Sequence, residues 1–340
     1  MATVTSSGAL FFWITISVPI GWGLEIDQEQ GVQIAPAGSA TSIVGMLIFP
    51  DGQIVIVTIG QSGGLYVYSS ETLSSNVPSA PIPGTASVPA QGPVTMAVGY
   101  ATDASGQPVA ANIYVLAPVA PQSGNPVSTR LQLFAATYQF GTHTPIQSWQ
   151  WGASLLPTGR ATVDGKQVPW MPGVSAIAVA PNGDVGIFTS LSAEGAVLPT
   201  LTYWAIPQGG VIPQSIKPTY QQTPPLDVLE VASIRGSIAF DGNGSAHIAL
   251  TGVSPVPKLG GNNAYISDLV IDPSGAGGIN QFGTVEVLGS VASAGSATMA
   301  SGPNGEVDCY YQNAAALGSS LICYSLPAGA TAWSVPTLVT

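Results

Sequence analysis

Apolar residues in this chain fall into short runs, each closed by a turn signal, with no helical period between them. Five segments share one pattern: an apolar run, a tight turn ending in glycine, and a second β-like run. They are GMLIFPDGQIVIVTI (45–59), TMAVGYATDASGQPVAANIYVL (95–116), SAIAVAPNGDVGIFTSL (175–191), GSIAFDGNGSAHIALTG (236–252) and ATMASGPNGEVDCYYQ (297–312). The turn glycines are Gly52, Gly106, Gly183, Gly244 and Gly305, spaced by 54, 77, 61 and 61 residues. In Pro50-Asp51-Gly52, Pro181-Asn182-Gly183 and Pro303-Asn304-Gly305, proline presets φ and glycine accepts φ > 0. Each turn therefore predicts a hairpin of two neighbouring antiparallel strands.

A third β-rich run follows in each unit: GLYVYS (64–69), RLQLFAATY (130–138), TLTYWAI (200–206), YISDLVID (265–272) and SLICYSL (320–326). A weaker fourth run precedes the next unit. Four strands per repeat is the blade of a β-propeller. The expected fold is an all-β propeller of five or six four-stranded blades, with a β-sandwich pair or a solenoid as alternatives. The apolar–Pro-Asp/Asn-Gly–apolar hairpin resembles propeller repeats of the general NHL, PQQ-like and WD type over residues 43–340. No WD dipeptide or GH signature is present, so the resemblance implies architecture and no family function. The expected organisation is one domain over 43–340, with repeats near 43–93, 94–173, 174–233, 234–293 and 294–340. Residues 1–42 supply further strands, as a degenerate blade or a ring closure. The long interval between Gly106 and Gly183 predicts an insertion, centred on PTGRATVDGKQVPWMPG (157–173).

The N-terminal run GALFFWITISVPIGWGL (8–24) has no Lys or Arg before it, as a secretory signal would require. It is shorter than the roughly 20 apolar residues of a spanning helix and is broken by Pro19, Gly21 and Gly23. Its β-branched and aromatic content reads as a buried strand, with an atypical signal as the alternative.

Charge changes the picture most. Only 7% of the 340 residues are charged, against about 25% in ordinary globular proteins. There are 17 acids and 6 bases, and the first base is Arg130. So few cations argue against nucleic-acid partners and against attraction to anionic lipid, and no membrane insertion is expected. The apolar fraction of 46% excludes disorder. A mean hydropathy of +0.37 suggests apolar faces covered by partner chains, or strands buried on both faces.

Candidate chemistry is sparse. Cys309 and Cys323 are symmetric about Ala316, the centre of the hairpin between them, so they are expected to face each other as a disulfide. His247 lies in a strand run and reads as a packed residue, and His143 lies in a turn. The acid pairs Asp227 with Glu230, Asp268 with Asp272, and Glu306 with Asp308 are candidates for glycosidase chemistry. DGNG (241–244) and DPSG (272–275) offer oxygen ligands, but turn chemistry explains both, and no metal or other cofactor is expected. Trp149 and Trp151 alternate on a strand and share a face, and Trp170 lies in the insertion. Exposed indoles of this kind take the apolar face of a sugar or a partner side chain.

These features predict a non-enzymatic binding or assembly protein, exposed in an extracellular or virion setting, with other protein chains, itself or a glycan as partner. The alternatives are a lectin-like carbohydrate-binding protein using Trp149, Trp151 and Trp170, and a propeller-type glycoside hydrolase.

Overall fold

Glycine-ended turns set the frame of the molecule. In the computed structural model Gly52, Gly106, Gly183, Gly244 and Gly305 all have φ between 81° and 87°, the left-handed region that only glycine enters without strain. Phe49 N donates to Gln53 O and Gly52 N to Phe49 O, both at 2.9 Å. The same pair of bonds recurs over Asp103–Gln107, Ala180–Asp184, Asp241–Ser245 and Gly302–Glu306. This is the type I turn with a glycine bulge that closes antiparallel hairpins.

The structure describes residues 2–20, 23–70, 77, 79–83, 85, 94–119, 130–142, 144, 146, 148–151, 155, 161–168, 170–193, 200–207, 218–222, 235–253, 263–286, 297–315 and 318–339. Among them it is all-β, and no helix is long and apolar enough to cross a membrane. The N-terminal sheet has three strands, β1 (Ala2–Val4), β2 (Leu10–Ile20) and β3 (Gly23–Ala35). Sheet I holds β4 (Ser42–Ile48), β5 (Ile54–Ile59), β6 (Leu65–Ser70) and β7 (Ser79–Pro81). Sheet II holds β8 (Thr95–Thr102), β9 (Pro108–Val119), β10 (Arg130–Gln139) and β11 (Trp149–Trp151). A two-stranded hairpin of β12 (Ala161–Val163) and β13 (Lys166–Val168) occupies the insertion. Its turn residues Asp164 and Gly165 both have positive φ, at 50° and 75°, as an Asp-Gly hairpin turn requires.

Sheet III holds β14 (Trp170–Val179), β15 (Val185–Ala193), β16 (Thr200–Ile206) and β17 (Tyr220–Gln222). Sheet IV holds β18 (Arg235–Phe240), β19 (Ala246–Val253), β20 (Asn263–Ile271) and β21 (Gly277–Glu286). Sheet V holds β22 (Ala297–Ser301), β23 (Val307–Ala315), β24 (Gly318–Leu326) and β25 (Thr337–Val339). Each of sheets I to V is a four-stranded antiparallel meander in simple strand order. The fold is that of a β-propeller built of four-stranded blades. By compactness the chain divides into two units. One comprises Met1–Met96, Tyr100–Pro126 and Phe134–Trp151, and the other Ala97–Gly99, Val127–Leu133 and Gly152–Thr340.

Within the second unit the core lies between successive sheets. Phe188 and Tyr203 of sheet III pack with Ile248, Leu250 and Leu269 of sheet IV. The alternate residues Ala249 and Ile266 of sheet IV pack instead with Val307, Cys309 and Tyr311 of sheet V. Sheet IV is thus apolar on both faces, which rules out a sandwich pair with one solvated face per sheet. It also accounts for much of the high hydropathy without partner chains, because doubly buried strands read as continuous apolar runs. The first strands of sheets IV and V are tied reciprocally by serines. Met299 N donates to Ser237 Oγ and Phe240 N donates to Ser301 Oγ, both at 2.8 Å. In the first unit Leu10, Phe12 and Ile34 of the N-terminal sheet pack with Ile56 and Tyr68 of sheet I.

Candidate functional site

Two groups of side chains stand out, one in each unit. In the first unit the hairpin turn of sheet I reaches to the end of β10 in sheet II. Asp51 Oδ2 accepts from Tyr138 Oη at 2.8 Å and from Gly141 N at 2.9 Å. The Phe49 ring stacks on Tyr138 at 5.2 Å between centroids, with 14° between planes. Phe140 meets Tyr138 edge-on at 5.9 Å, and Tyr100 lies 6.2 Å beyond Phe140. The stack therefore runs Phe49, Tyr138, Phe140, Tyr100. It begins with buried rings and ends on Tyr100, which is 43% exposed.

Ile48 and Val109 are also exposed. Each lies within two residues of its sheet's first hairpin turn, and Val109 O accepts from Phe140 N. Polar groups border the apolar edge: Gln139, Thr142 and Thr144 are exposed, and Thr142 Oγ1 donates to Gln139 O at 2.7 Å. An exposed phenol ring fixed by rings behind it, with hydroxyl and amide groups beside it, is suited to hold a ligand with an apolar face and a polar rim. Replacing Asp51 by alanine removes the charge-assisted bonds to both Tyr138 and Gly141. We expect a loss of about 2–3 kcal/mol in chemical denaturation, with the smaller loss for Tyr138→Phe.

In the second unit a polar cluster is sealed between sheets IV and V. His247 stands opposite Val270, and Asp268 stands opposite Ala249, so the two are diagonal neighbours on one face. His247 Nδ1 donates to Asp268 Oδ2 at 2.8 Å, and Trp333 Nε1 donates to the same oxygen at 3.2 Å. His247 Nε2 lies 3.7 Å from Asp241 Oδ2. Burial lowers the proton affinity of His247. The hydrogen bond and charge of Asp268, joined by Asp241, outweigh it and hold the imidazole pKa above its ordinary value. The Cys309 thiol on the same face is pushed up to about 12, first by burial and then by the Asp268 charge, so it stays protonated. A histidine oriented by a carboxylate has the form of a general base. Here His247 and Asp268 are 3% and 1% exposed, closed to any substrate, and the group acts as a clasp between blades.

Trp149 is buried on β11 at 7% exposure, with its Nε1 buried and without a hydrogen-bond partner. Trp170 opens β14 and is half-buried, while the Trp151 side chain, His143, Asp227 and Glu230 lie outside the described residues. The expected disulfide is corrected. The register pairs Cys309 with Tyr324 and Tyr310 with Cys323, one residue from the symmetric pairing, so the cysteines point to opposite faces. Both are free, Cys309 buried and Cys323 half-buried. The turn acids serve their own loops: Asp272 Oδ1 accepts from Ser274 N and Ala276 N, and Asp241 Oδ1 from Asn243 N and Ser245 N.

No protein-family model matches the chain, and no curated protein matches it. Several solved structures are similar at low identity. Aleuria aurantia lectin in complex with alpha-methyl-L-fucoside has a TM-score of 0.46 and 12% identity, covering 100% of this chain and 93% of the lectin. A polysaccharide lyase described as an ulvanlyase has a TM-score of 0.45 and 11% identity, covering 99% and 78%. Trypanosoma rangeli sialidase in complex with the inhibitor DANA has a TM-score of 0.45 and 10% identity, covering 86% and 48%.

The expectation of a non-enzymatic protein is corrected to this extent: enzymes, the lyase and the sialidase, stand among the similar structures beside the lectin. That expectation rested on the repeat, the scarcity of charge and the lack of catalytic spacing, and none of these excludes catalytic groups brought together from distant parts of the chain.

Proposed function

We propose that this chain recognises carbohydrate, and that the exposed ring of Tyr100 is where a sugar docks. The observation that carries the reading is the aromatic stack from Phe49 through Tyr138 and Phe140 to Tyr100. A pyranose presents a face of C–H groups that covers an aromatic ring, while its hydroxyls need partners at the rim. Gln139, Thr142 and Thr144 supply those partners. The rings behind Tyr100 hold it in place, so little side-chain entropy is lost on binding. The half-buried Trp170 is a second platform under the same reading, in the other unit. Such a role belongs outside the cell, where free and surface glycans are met. The structural likenesses, all with TM-scores below 0.5, serve only to set which ligand class is tested first.

The test is a glycan array followed by titration of any hit. Tyr100→Ala is expected to weaken binding about tenfold or more, and Tyr100→Phe to keep most of it, because the ring face is retained. A blank array across all sugars, or a hit indifferent to Tyr100→Ala, would overturn the reading. Product analysis of the bound glycan in the same samples reports whether it is also cleaved.

A further inference from the structure

Resting on that reading, we infer that the Tyr100 face takes neutral sugars and rejects anionic ones, such as those carrying sialic acid, uronic acid or sulfate. The reason is the charge composition of the unit that holds the stack. Its segments Met1–Met96, Tyr100–Pro126 and Phe134–Trp151 contain no Lys or Arg. They do contain Glu25, Asp27, Glu29, Asp51, Glu71 and Asp103. Recognition of a carboxylate or sulfate on a sugar uses guanidinium or ammonium donors, which neutralise the charge as they bond it. This unit carries none. Arg130, the first base in the chain, opens β10, whereas Tyr138 and Phe140 stand at its far end. Eight residues of strand separate Arg130 from Tyr138, about 26 Å. That is about three Debye lengths at physiological ionic strength.

Two carboxylates stand close to the stack instead. Asp51 is hydrogen-bonded to the Tyr138 hydroxyl. Asp103 follows Tyr100 by three residues in the turn between β8 and β9. Its carboxylate accepts from Ser105 Oγ at 2.6 Å, Ser105 N at 2.8 Å and Gln107 N at 3.0 Å. Those bonds, the Ser105 hydroxyl first, hold its pKa below the ordinary value and keep it ionised. An anionic sugar placed on Tyr100 meets like charge at the rim and loses water from its own charge without a counter-ion. A neutral sugar meets the same ring, hydroxyls and amide without that penalty.

The experiment uses matched pairs: lactose with 3′-sialyllactose, and neutral cello-oligosaccharides with the corresponding uronic acids. Affinities are measured by titration calorimetry on the whole protein at two salt concentrations. The neutral member of a bound pair is expected to bind about tenfold or more tightly than its anionic partner, with little salt dependence. A second variant tests the cause. Val109→Lys places an ammonium at an exposed position beside Phe140, and is expected to narrow the gap between partners while leaving the fold intact. Equal or tighter binding of the anionic partner overturns the inference, as does a gap unmoved by Val109→Lys. If no sugar of either kind binds, the failure lies with the carbohydrate reading itself.

Discussion

Asp268→Ala lowers the stability of this protein by about 3–5 kcal/mol, the cost of removing one partner from a buried charged pair. The carboxylate accepts from both the imidazole of His247 and the indole of Trp333. Its loss removes the acceptor of the buried imidazole Nδ1–H and one bond of the half-buried indole between sheets IV and V. Chemical denaturation of wild type and variant at fixed pH measures the difference. A loss below about 1 kcal/mol would mean that the clasp is replaced by water at no cost.

The same cluster gives a pH dependence with a definite sign. The imidazole pKa of His247 is raised by Asp268 and Asp241 above the unfolded value of about 6.5. The folded protein therefore holds the proton more tightly than the unfolded chain. The resulting stabilisation is complete below about pH 6.5 and is lost as pH rises through the folded value. The other groups facing the imidazole are the carboxylates of Asp241 and Asp268 and the Cys309 thiol, protonated until about pH 12. The stability difference between wild type and His247→Gln is expected to be largest under mildly acid conditions and to shrink in alkali. A difference that grows with pH would reverse this assignment.

Gly305→Ala is expected to cost more stability than Gly52→Ala, which serves as its control. Both residues have φ of +86°, where an alanine is strained. At Gly52 a Cβ would meet nothing within 4 Å, so its cost is the backbone term alone, about 1–2 kcal/mol. At Gly305 a Cβ would lie 2.6 Å from Gly242 Cα and 2.9 Å from Gly242 N. Gly242 N donates to Gly305 O at 3.1 Å, joining the turns of sheets IV and V. Backbone must move there, adding roughly 1–3 kcal/mol. Thermal or chemical unfolding of the two variants checks this. Equal losses at the two glycines would show that the close approach of the turns adds nothing.

Much of the fold is legible along the chain because its signals are local. Short apolar runs closed by turn signals set the strands, and a turn ending in glycine needs only that residue's positive φ to close a hairpin. Gly52, Gly106, Gly183, Gly244 and Gly305 could be placed from sequence for that reason. The cysteines show the limit of such reading. The hairpin centre near Ala316 is right to within half a residue, yet that is enough to turn Cys309 and Cys323 to opposite faces.

The groups of greatest chemical interest are joined across sheets. Asp51 and Tyr138 are 87 residues apart, and Asp268 and Trp333 are 65 apart. No spacing rule links them, since the packing of one blade on the next decides which side chains meet. Tyr100 likewise reads as an ordinary strand residue until Phe140 is placed behind it. The sequence by itself determined the strands, their turns and the scarcity of cations, because each is a property of neighbouring residues or of composition. The tertiary structure decided the ring left exposed and the histidine sealed in, because burial and partnership depend on residues brought together from distant parts of the chain.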